Sequence, residues 1–566
     1  MTRIRLCRRL LGLGLALPHL LLASAAPAAA QTTASRPNIV WISAEDLSPR
    51  IGAYGDGLAR TPNIDRLARE GTRYSNAFVT LPICAPSRSA IITGMYQNAI
   101  ASMHMRTTES RAEALPGPYQ AVPPHYVKAF PEYLRAAGYY ATNNVKTDYQ
   151  FGTPFTIWDE SSNRAHWRNR PDPEQPFFAV FNFTGTHESQ VWADSPARRG
   201  KPLVTDPARV ELPPYYPDTP AVREDMARHY DNIADLDVWV GELLRQLEED
   251  GLADNTIVIF WTDHGDGLPR AKRALYDSGL RVPLIVRWPG QVEAGKVNDE
   301  MVSLIDLAPT MLSLAGVPVP RHMHGRALMG PDAAPAPEYV FAGVDRVDMA
   351  YDMARAVRDA RFKYIRNFHP ELPHVTFVAY RNRNATMQEL LRLHAEGGLD
   401  GVQSLWMADH RPPEELYDTR ADPHEVRNLA HDPAHRAELQ RMRGALEGWM
   451  TGIGDQGLIP EAELVERMWP GGVQPRTGTP YILPRSAIDL DESGRQELKG
   501  PQEVVIYVPT QGASVAYTTE EGENPRWSLY TGPIRVESEV TIRAKAIRYG
   551  YAESEEARVS FSVRRN

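Results

Sequence analysis

Four short runs of β-forming residues in the first half of the chain each end on polar or charged side chains, and that pattern limits the fold more than any other feature. Residues 38–43 (N-I-V-W-I-S) are followed by Glu45 and Asp46. Residues 256–262 (T-I-V-I-F-W-T) run into Asp263 and His264, residues 177–183 (F-F-A-V-F-N-F) lead to His187, and residues 139–142 lead toward Lys146. Nearly continuous apolar runs of this length suit strands buried on both faces. In open α/β sheets, loops and helix N-termini converge beyond the C-terminal strand ends, and ligands bind there. Strands that deliver reactive groups to one such edge predict a site at that edge.

Helical patterning separates these runs over 62–70, 130–137 and 230–247. In the last, Tyr230, Ile233, Leu236, Val240, Leu243, Leu244 and Leu247 share one face. The alternation predicts a layered α/β domain, with a further core strand within 276–289 and a helix over 302–315. Beyond residue 338 the pattern becomes mixed, with strands near 356–365 and Glu415 and a helix over 433–450. After a Pro- and Gly-rich stretch, 504–508, 514–518, 540–547 and 557–563 read as short strands of a small β-sandwich. The expected domains are 36–337 (catalytic α/β), 338–469 (α+β subdomain), 470–499 (linker) and 500–566 (β-sandwich). A chain of 566 residues is too long for one core.

The N-terminus carries a basic region, an apolar run over 10–23 and a small-residue stretch ending at Gln31, which reads as a secretory signal over 1–30. The apolar run is short for a membrane span, so the expected location is periplasmic or secreted, with no membrane association after cleavage. A formal net charge of -9 supplies no basic field and argues against nucleic-acid binding. Of the 2 cysteines, Cys7 lies in the signal segment. Cys84 is then alone, without a disulfide partner, in an oxidising compartment.

Cys84 sits in Pro82-Ile-Cys84-Ala-Pro86-Ser87-Arg88. This phrase resembles the modification signal of the type I, formylglycine-dependent sulfatases, in which Cys is followed by any residue, Pro or Ala, any residue and Arg. The order of motifs from about residue 37 to 430 is similar to that family, part of the alkaline phosphatase-like superfamily. The resemblance implies that Cys84 is converted to 3-oxoalanine (formylglycine) by a formylglycine-generating enzyme. A formylglycine hydrate carries two geminal hydroxyls, one to attack sulfur and one to expel sulfate afterwards.

Clustered carboxylates at one sheet edge repel unless a cation neutralises them. The resemblance makes Glu45, Asp46, Asp263 and His264, with the modified Cys84, ligands of one divalent metal, Ca2+ with Mg2+ as the alternative; oxygen-rich donor sets suit both ions. Glu45 stands where the family has Asp. Arg88, Lys146 and Lys272 are carried over as groups that neutralise nucleophile and sulfate. His187 matches the histidine that protonates the leaving alcohol, and His104 the one that assists the formylglycine hydroxyls. The family's Lys-x-His reads here as Lys146-Thr147-Asp148, which puts an acid where a sulfate contact or proton donor is usual.

The tail, around Ala516-Tyr517, Tyr530 and residues 542–546, is similar to the β-sandwich appended to hexosaminidases. The function implied is hydrolysis of sulfate esters, or sulfamates, on a sulfated carbohydrate. Two alternatives stay open: a phosphonate or phosphodiester hydrolase on the same scaffold, and a catalytically silent glycan-binding protein.

Overall fold

The structure, a computed structural model, describes residues 36–108, 115–196, 200–487 and 494–564. The signal segment expected over 1–30, including Cys7, lies outside the described residues. Apolar runs become the centre of an eight-stranded sheet. Its strands in chain order are β1 (Asn38–Ala44), β2 (Thr72–Phe78), β3 (Tyr140–Asn144), β4 (Glu160–Ser161), β5 (Phe177–Phe183), β6 (Thr256–Thr262), β7 (Arg281–Arg287) and β8 (Lys296–Ser303), arranged β4-β3-β5-β1-β6-β7-β2-β8. From β4 to β6 all neighbours run parallel, and β7 is antiparallel to both β6 and β2. Every residue of β1 and β6 is buried, as expected for strands covered on both faces.

The helices that cover this sheet are α1 (Pro62–Glu70), α2 (Cys84–Thr93), α3 (Phe130–Ala136), α4 (Pro220–Glu249) and a later helix, Leu307–Leu314. Trp41 of β1 shows how one layer locks down. It lies 5.1 Å from the Phe130 ring and 5.2 Å from both Phe178 and Trp261, and its indole N–H points at Met311 Sδ at 3.2 Å. Burying an apolar side chain of this kind contributes roughly 1.5–3 kcal/mol.

The expected helix over 302–315 is corrected at its start: Val302 and Ser303 end β8, and a capping box from Ser303 to Asp306 opens the turn before Leu307. The long helix begins at Pro220, ten residues ahead of the apolar stripe that predicted it, because its first turns also bury polar side chains such as Asp225 and His229. A four-stranded antiparallel sheet follows, β9 (Val340–Val344), β10 (Ala354–Arg358), β11 (Phe362–Asn367) and β12 (Glu414–Asp418), ordered β12-β11-β10-β9. The helix Arg436–Ile453 covers it with Met442, Leu446, Trp449 and Met450.

The tail forms two sheets from β13 (Tyr481–Pro484), β14 (Arg495–Lys499), β15 (Gln502–Tyr507), β16 (Ser514–Thr518), β17 (Ser528–Leu529), β18 (Ile534–Val536), β19 (Val540–Ile547) and β20 (Ala557–Arg564). Their orders are β13-β15-β18 and β14-β20-β19-β16-β17, around a core that includes Ile482, Leu498, Val504, Ile542 and Phe561. The span 470–499 read as a linker therefore contains two strands. β13 pairs with β15, and β14 with β20. The sandwich is fastened to the segment around α3: Lys128 Nζ donates to Gly512 O and Ser514 Oγ, both at 2.6 Å, and the fully buried Tyr549 hydroxyl donates to Glu132 at 2.6 Å. Among the described residues no helix is long and apolar enough to cross a membrane.

Candidate active site

Strand register assembles the site. Ala44 at the end of β1 lies beside Thr262 of β6 and Phe183 of β5, so Glu45-Asp46, Asp263-His264 and the segment to His187-Glu188 leave the sheet together. Asp46 has a left-handed backbone, φ 50°, a conformation that Asp tolerates better than most residues. The Asp46 amide donates to Asp263 Oδ1 at 3.2 Å, and the Glu188 amide donates to Asp46 Oδ2 at 2.7 Å. Gly267 makes room for this packing, since a Cβ there would lie 2.5 Å from Asp46 Oδ2.

Cys84 opens α2, a helix whose ten residues are all buried. The helix N-terminus favours an anionic group at that position. Its Sγ lies 3.3 Å from His264 Nε2 and 4.0 Å from Asp46 Oδ1. Burial by itself raises the thiol, but Lys272, Lys146 and His264 outweigh it and bring Cys84 down to about 6. Arg88 follows one turn later on the same face. Its Nε donates to Asp263 Oδ2 and its Nη1 to Asn182 Oδ1, both at 2.9 Å.

Two lysines close the centre. Lys272 Nζ donates to both Asp46 oxygens at 3.0 and 2.8 Å and lies 3.1 Å from Glu188. Lys146 pairs closely with Glu45 and lies 3.3 Å from Asp148. Despite burial, the Asp46 carboxyl is held well below its usual range by Lys272, His264 and His187. The His264 imidazole is held well above its usual value, because Asp263, Asp46 and Cys84 outweigh its burial. A cavity of about 420 Å³ opens onto Cys84, with Arg106, Lys146, Asp148 and His187 in its wall.

The donor set fits a metal ion. Asp46, Cys84, Asp263 and His264 are buried, and each offers one ligand atom within 4.8 Å of the others. Glu45, expected among the ligands, stands outside this group: its longer side chain reaches Lys146 and lies 3.6 Å from Arg88.

His104, expected beside Cys84, is not brought into contact with it by any hydrogen bond or ion pair among the described residues. It is buried, both ring nitrogens lack hydrogen-bond partners among the described residues, and its charged neighbours are Glu461, Asp345, Arg346 and Arg355. The next residues, Met105 and Arg106, line the Cys84 cavity instead. The sequence pattern does not single out Glu188, Arg273 or Asn182. Arg273 grips Glu188 with two hydrogen bonds, 2.9 and 2.6 Å. Their signals were present: an acid next to His187, a second cation next to Lys272, and a polar residue inside the apolar run of β5.

The Sulfatase family model matches residues 37–173 and 162–317. The N-sulphoglucosamine sulphohydrolase C-terminal model matches 270–372, and the chitobiase/beta-hexosaminidase C-terminal domain model matches 493–558. An ulvan-active sulfatase of Formosa agariphila is 41% identical over 563 residues, covering 93% of this chain and 92% of the relative. The N-sulphoglucosamine sulphohydrolase of Homo sapiens is 28% identical over 491 residues, covering 77% and 94%. Among solved structures, a 2-O GAG sulfatase aligns with a TM-score of 0.53 at 23% identity over 74% of this chain and 93% of its own. The phosphonate monoester hydrolase of Agrobacterium radiobacter aligns with a TM-score of 0.54 at 18% identity, over 75% and 97%. At these identities the two structures speak for the fold alone. Identity to a curated sulfatase over nearly the full length of both chains makes this protein a member of the sulfatase family, the sulfuric ester hydrolases.

Proposed function

We propose that the protein is an exported, periplasmic or secreted, sulfatase that removes sulfate from a sulfated glycan, with Cys84 oxidised to formylglycine as nucleophile. The observation that carries this reading is the position of Cys84 at the start of a buried helix, among Asp46, Asp263, His264, Lys146 and Lys272. The glycan substrate follows from relatives that are ulvan-active and N-sulphoglucosamine enzymes. Conversion requires a formylglycine-generating enzyme in the host.

The oxygens of a formylglycine hydrate take the place of Cys84 Sγ. One, deprotonated, would attack sulfur while the bond from sulfur to the sugar oxygen breaks. The second hydroxyl then loses its proton, re-forms the aldehyde and releases sulfate with the bonding pair. A divalent ion at Asp46, Asp263 and His264, calcium with magnesium as the alternative, would supply Lewis acidity toward the sulfate oxygens.

The chain's own residues do the rest. Arg88, anchored on Asp263 and Asn182, fixes the position from which the nucleophile attacks. Lys146 and Lys272 meet the charge that grows on the sulfate oxygens. His187 lies in the cavity wall and gives its proton to the departing sugar oxygen. Its imidazole is held above the usual value: burial and Lys272 lower it, but Asp46 and the Cys84 group raise it further. Protein from the native host should yield a Cys84 peptide with the mass of formylglycine, and should release sulfate from sulfated oligosaccharides. The match of 270–372 to the sulphohydrolase C-terminal model makes an N-sulfated sugar the second substrate to assay. An unmodified thiol in active material defeats the proposal.

A further inference from the structure

Asp266, three residues past Asp263, lines a second and larger cavity of about 680 Å³ that shares no lining residue with the one at Cys84. Its walls come from the loop after β1, the segment 209–215 and the strands β2 and β7. Some of its charges are matched in ion pairs. Asp266 is paired with Arg50 and His229, Asp277 with Arg358 and Lys363, and Glu425 with Lys363. Asp56 accepts from the Tyr230 hydroxyl and from two loop amides. At the exposed rim, Arg209 and Glu211 carry opposite charges.

Apart from Arg209 at the rim, three guanidinium groups in the wall form no ion pair among the described residues: Arg270, which donates to the carbonyls of His424 and Glu425 at 3.0 and 2.7 Å, and Arg73 and Arg281. The Arg73 side chain rests on the Tyr54 ring, 4.8 Å from its centroid, and forms no ion pair among the described residues. Arg281 donates to the Ser75 carbonyl at 3.0 and 2.7 Å and likewise meets no carboxylate in an ion pair. Burial holds Arg281 below its usual value, Asp277 offsets part of this, and Arg358 and Arg73 lie near enough to repel it. Like charges gathered in a partly buried wall are relieved by an anion between them. Arginine's planar fork suits the oxygens of a sulfo group.

We propose that this cavity is a second oxyanion site, in which Arg73 and Arg281 hold a sulfo group on another sugar of the glycan chain. The size supports a saccharide as the carrier, because about 680 Å³ lies in the range of pockets that enclose a whole small ligand. That choice of carrier rests on the glycan reading above, while the oxyanion site itself does not.

The test is a selenate soak of crystals of the full chain, with selenium located by anomalous scattering in wild type and in Arg73→Glu. Arg73 makes no side-chain hydrogen bond among the described residues, so its replacement breaks none of those described. Arg73→Met, which keeps the stem and removes the charge, serves as the second variant. We expect selenium between Arg73 and Arg281 in wild type and its loss in both variants, with selenate at Cys84 unaffected. An empty cavity in wild type, or undiminished occupancy in the variants, overturns the site.

Kinetics then identify the carrier. Losing one charge-assisted contact should raise KM for a sulfated oligosaccharide about tenfold in Arg73→Glu, with turnover of an aryl sulfate unchanged. If oligosaccharide KM holds and inhibition by free sulfate weakens instead, the saccharide assignment is overturned. Failure to release sulfate from any saccharide would defeat the proposed function, while the selenium map would still decide the cavity.

Discussion

The Cys84 centre and the cluster around Arg355 both bury several charges, yet they satisfy them differently. Arg355 is fully buried and saturated. Its Nε and Nη2 reach Asp455 at 2.6 and 3.0 Å, Nη2 also reaches Asp345 at 2.9 Å, and Nη1 donates to the carbonyls of Val344 and Ala354 at 3.0 Å. Arg346 beside it grips Glu461 with two bonds of 2.7 Å, and Tyr119 adds a third to the same carboxylate at 2.7 Å. All five guanidinium donors of Arg355 are used, so that side chain has none left for a ligand and ties β9 and β10 to the segment 455–461. At Cys84, by contrast, Arg88 Nη2 has no hydrogen-bond partner among the described residues and only a 3.6 Å ion pair with Glu45, and two lysines converge where a thiol is held at about 6. Saturation makes a strut, and incomplete saturation leaves room for sulfate.

The largest effect should come from Cys84→Ala. Removing the proposed nucleophile, around which the other groups are arranged, should cost about 10⁴-fold or more in kcat/KM, read as sulfate release, with the circular dichroism of wild type retained. Residual activity within about tenfold of wild type would erase the distinction between the two clusters. Next comes Arg355→Ala, which leaves Asp345 and Asp455 buried and unpaired. It should lower unfolding stability by about 3–5 kcal/mol in urea titrations, while the folded fraction keeps its kcat. A stable Arg355→Ala protein with lost activity would reverse the assignment.

How much of this contrast was visible in the sequence depended on where chemistry and periodicity coincided. β1, β5 and β6 are legible because apolar runs end on acids and histidines, and Cys84 and Arg88 because a cysteine without a disulfide partner sits in a phrase that resembles the sulfatase modification signal. β2 and β8 are not, since T-R-Y-S-N-A-F and K-V-N-D-E-M-V-S carry the polar residues of strands near the sheet's open edge. β13 and β14 were hidden in a stretch rich in Pro and Gly that read as a linker. The resemblance groups Glu45 with the metal ligands as half of an acidic pair after β1, but its carboxylate pairs with Lys146. The Arg355 cluster could not be anticipated, because Asp345, Arg355 and Asp455 meet across a hundred residues of chain and no local pattern marks them.

Lys272→Ala sharpens the comparison from the catalytic side. Lys272 touches Asp46 and Glu188 as Arg355 touches its two aspartates, but it faces the reacting group. Losing one preorganised electrostatic contact costs about 10²–10³ in kcat, and stopped assays on an aryl sulfate should show that loss largely in kcat. If Lys272→Ala instead unfolds readily and its folded fraction turns over normally, then Lys272 is a strut like Arg355.

His104 decides where the border between the clusters runs, and the effect expected is the smallest. The sequence puts it with Cys84, whereas its charged neighbours are Glu461, Asp345, Arg346 and Arg355. Burial depresses its imidazole, and Arg346 and Arg355 add to this against the pull of Glu461 and Asp345. The folded state therefore refuses a proton that the unfolded chain accepts below the ordinary value of 6.5. Stability is then intact above pH 6.5 and is lost as pH falls toward the depressed folded value. In His104→Asn that acid-side loss is absent, so urea midpoints of variant and wild type should draw closer, or cross, between pH 8 and pH 5. Aryl sulfate turnover should fall by less than about tenfold, below the 10²–10⁴ of a general acid or base. A gap independent of pH, together with a loss of that larger size, would move His104 into the Cys84 centre.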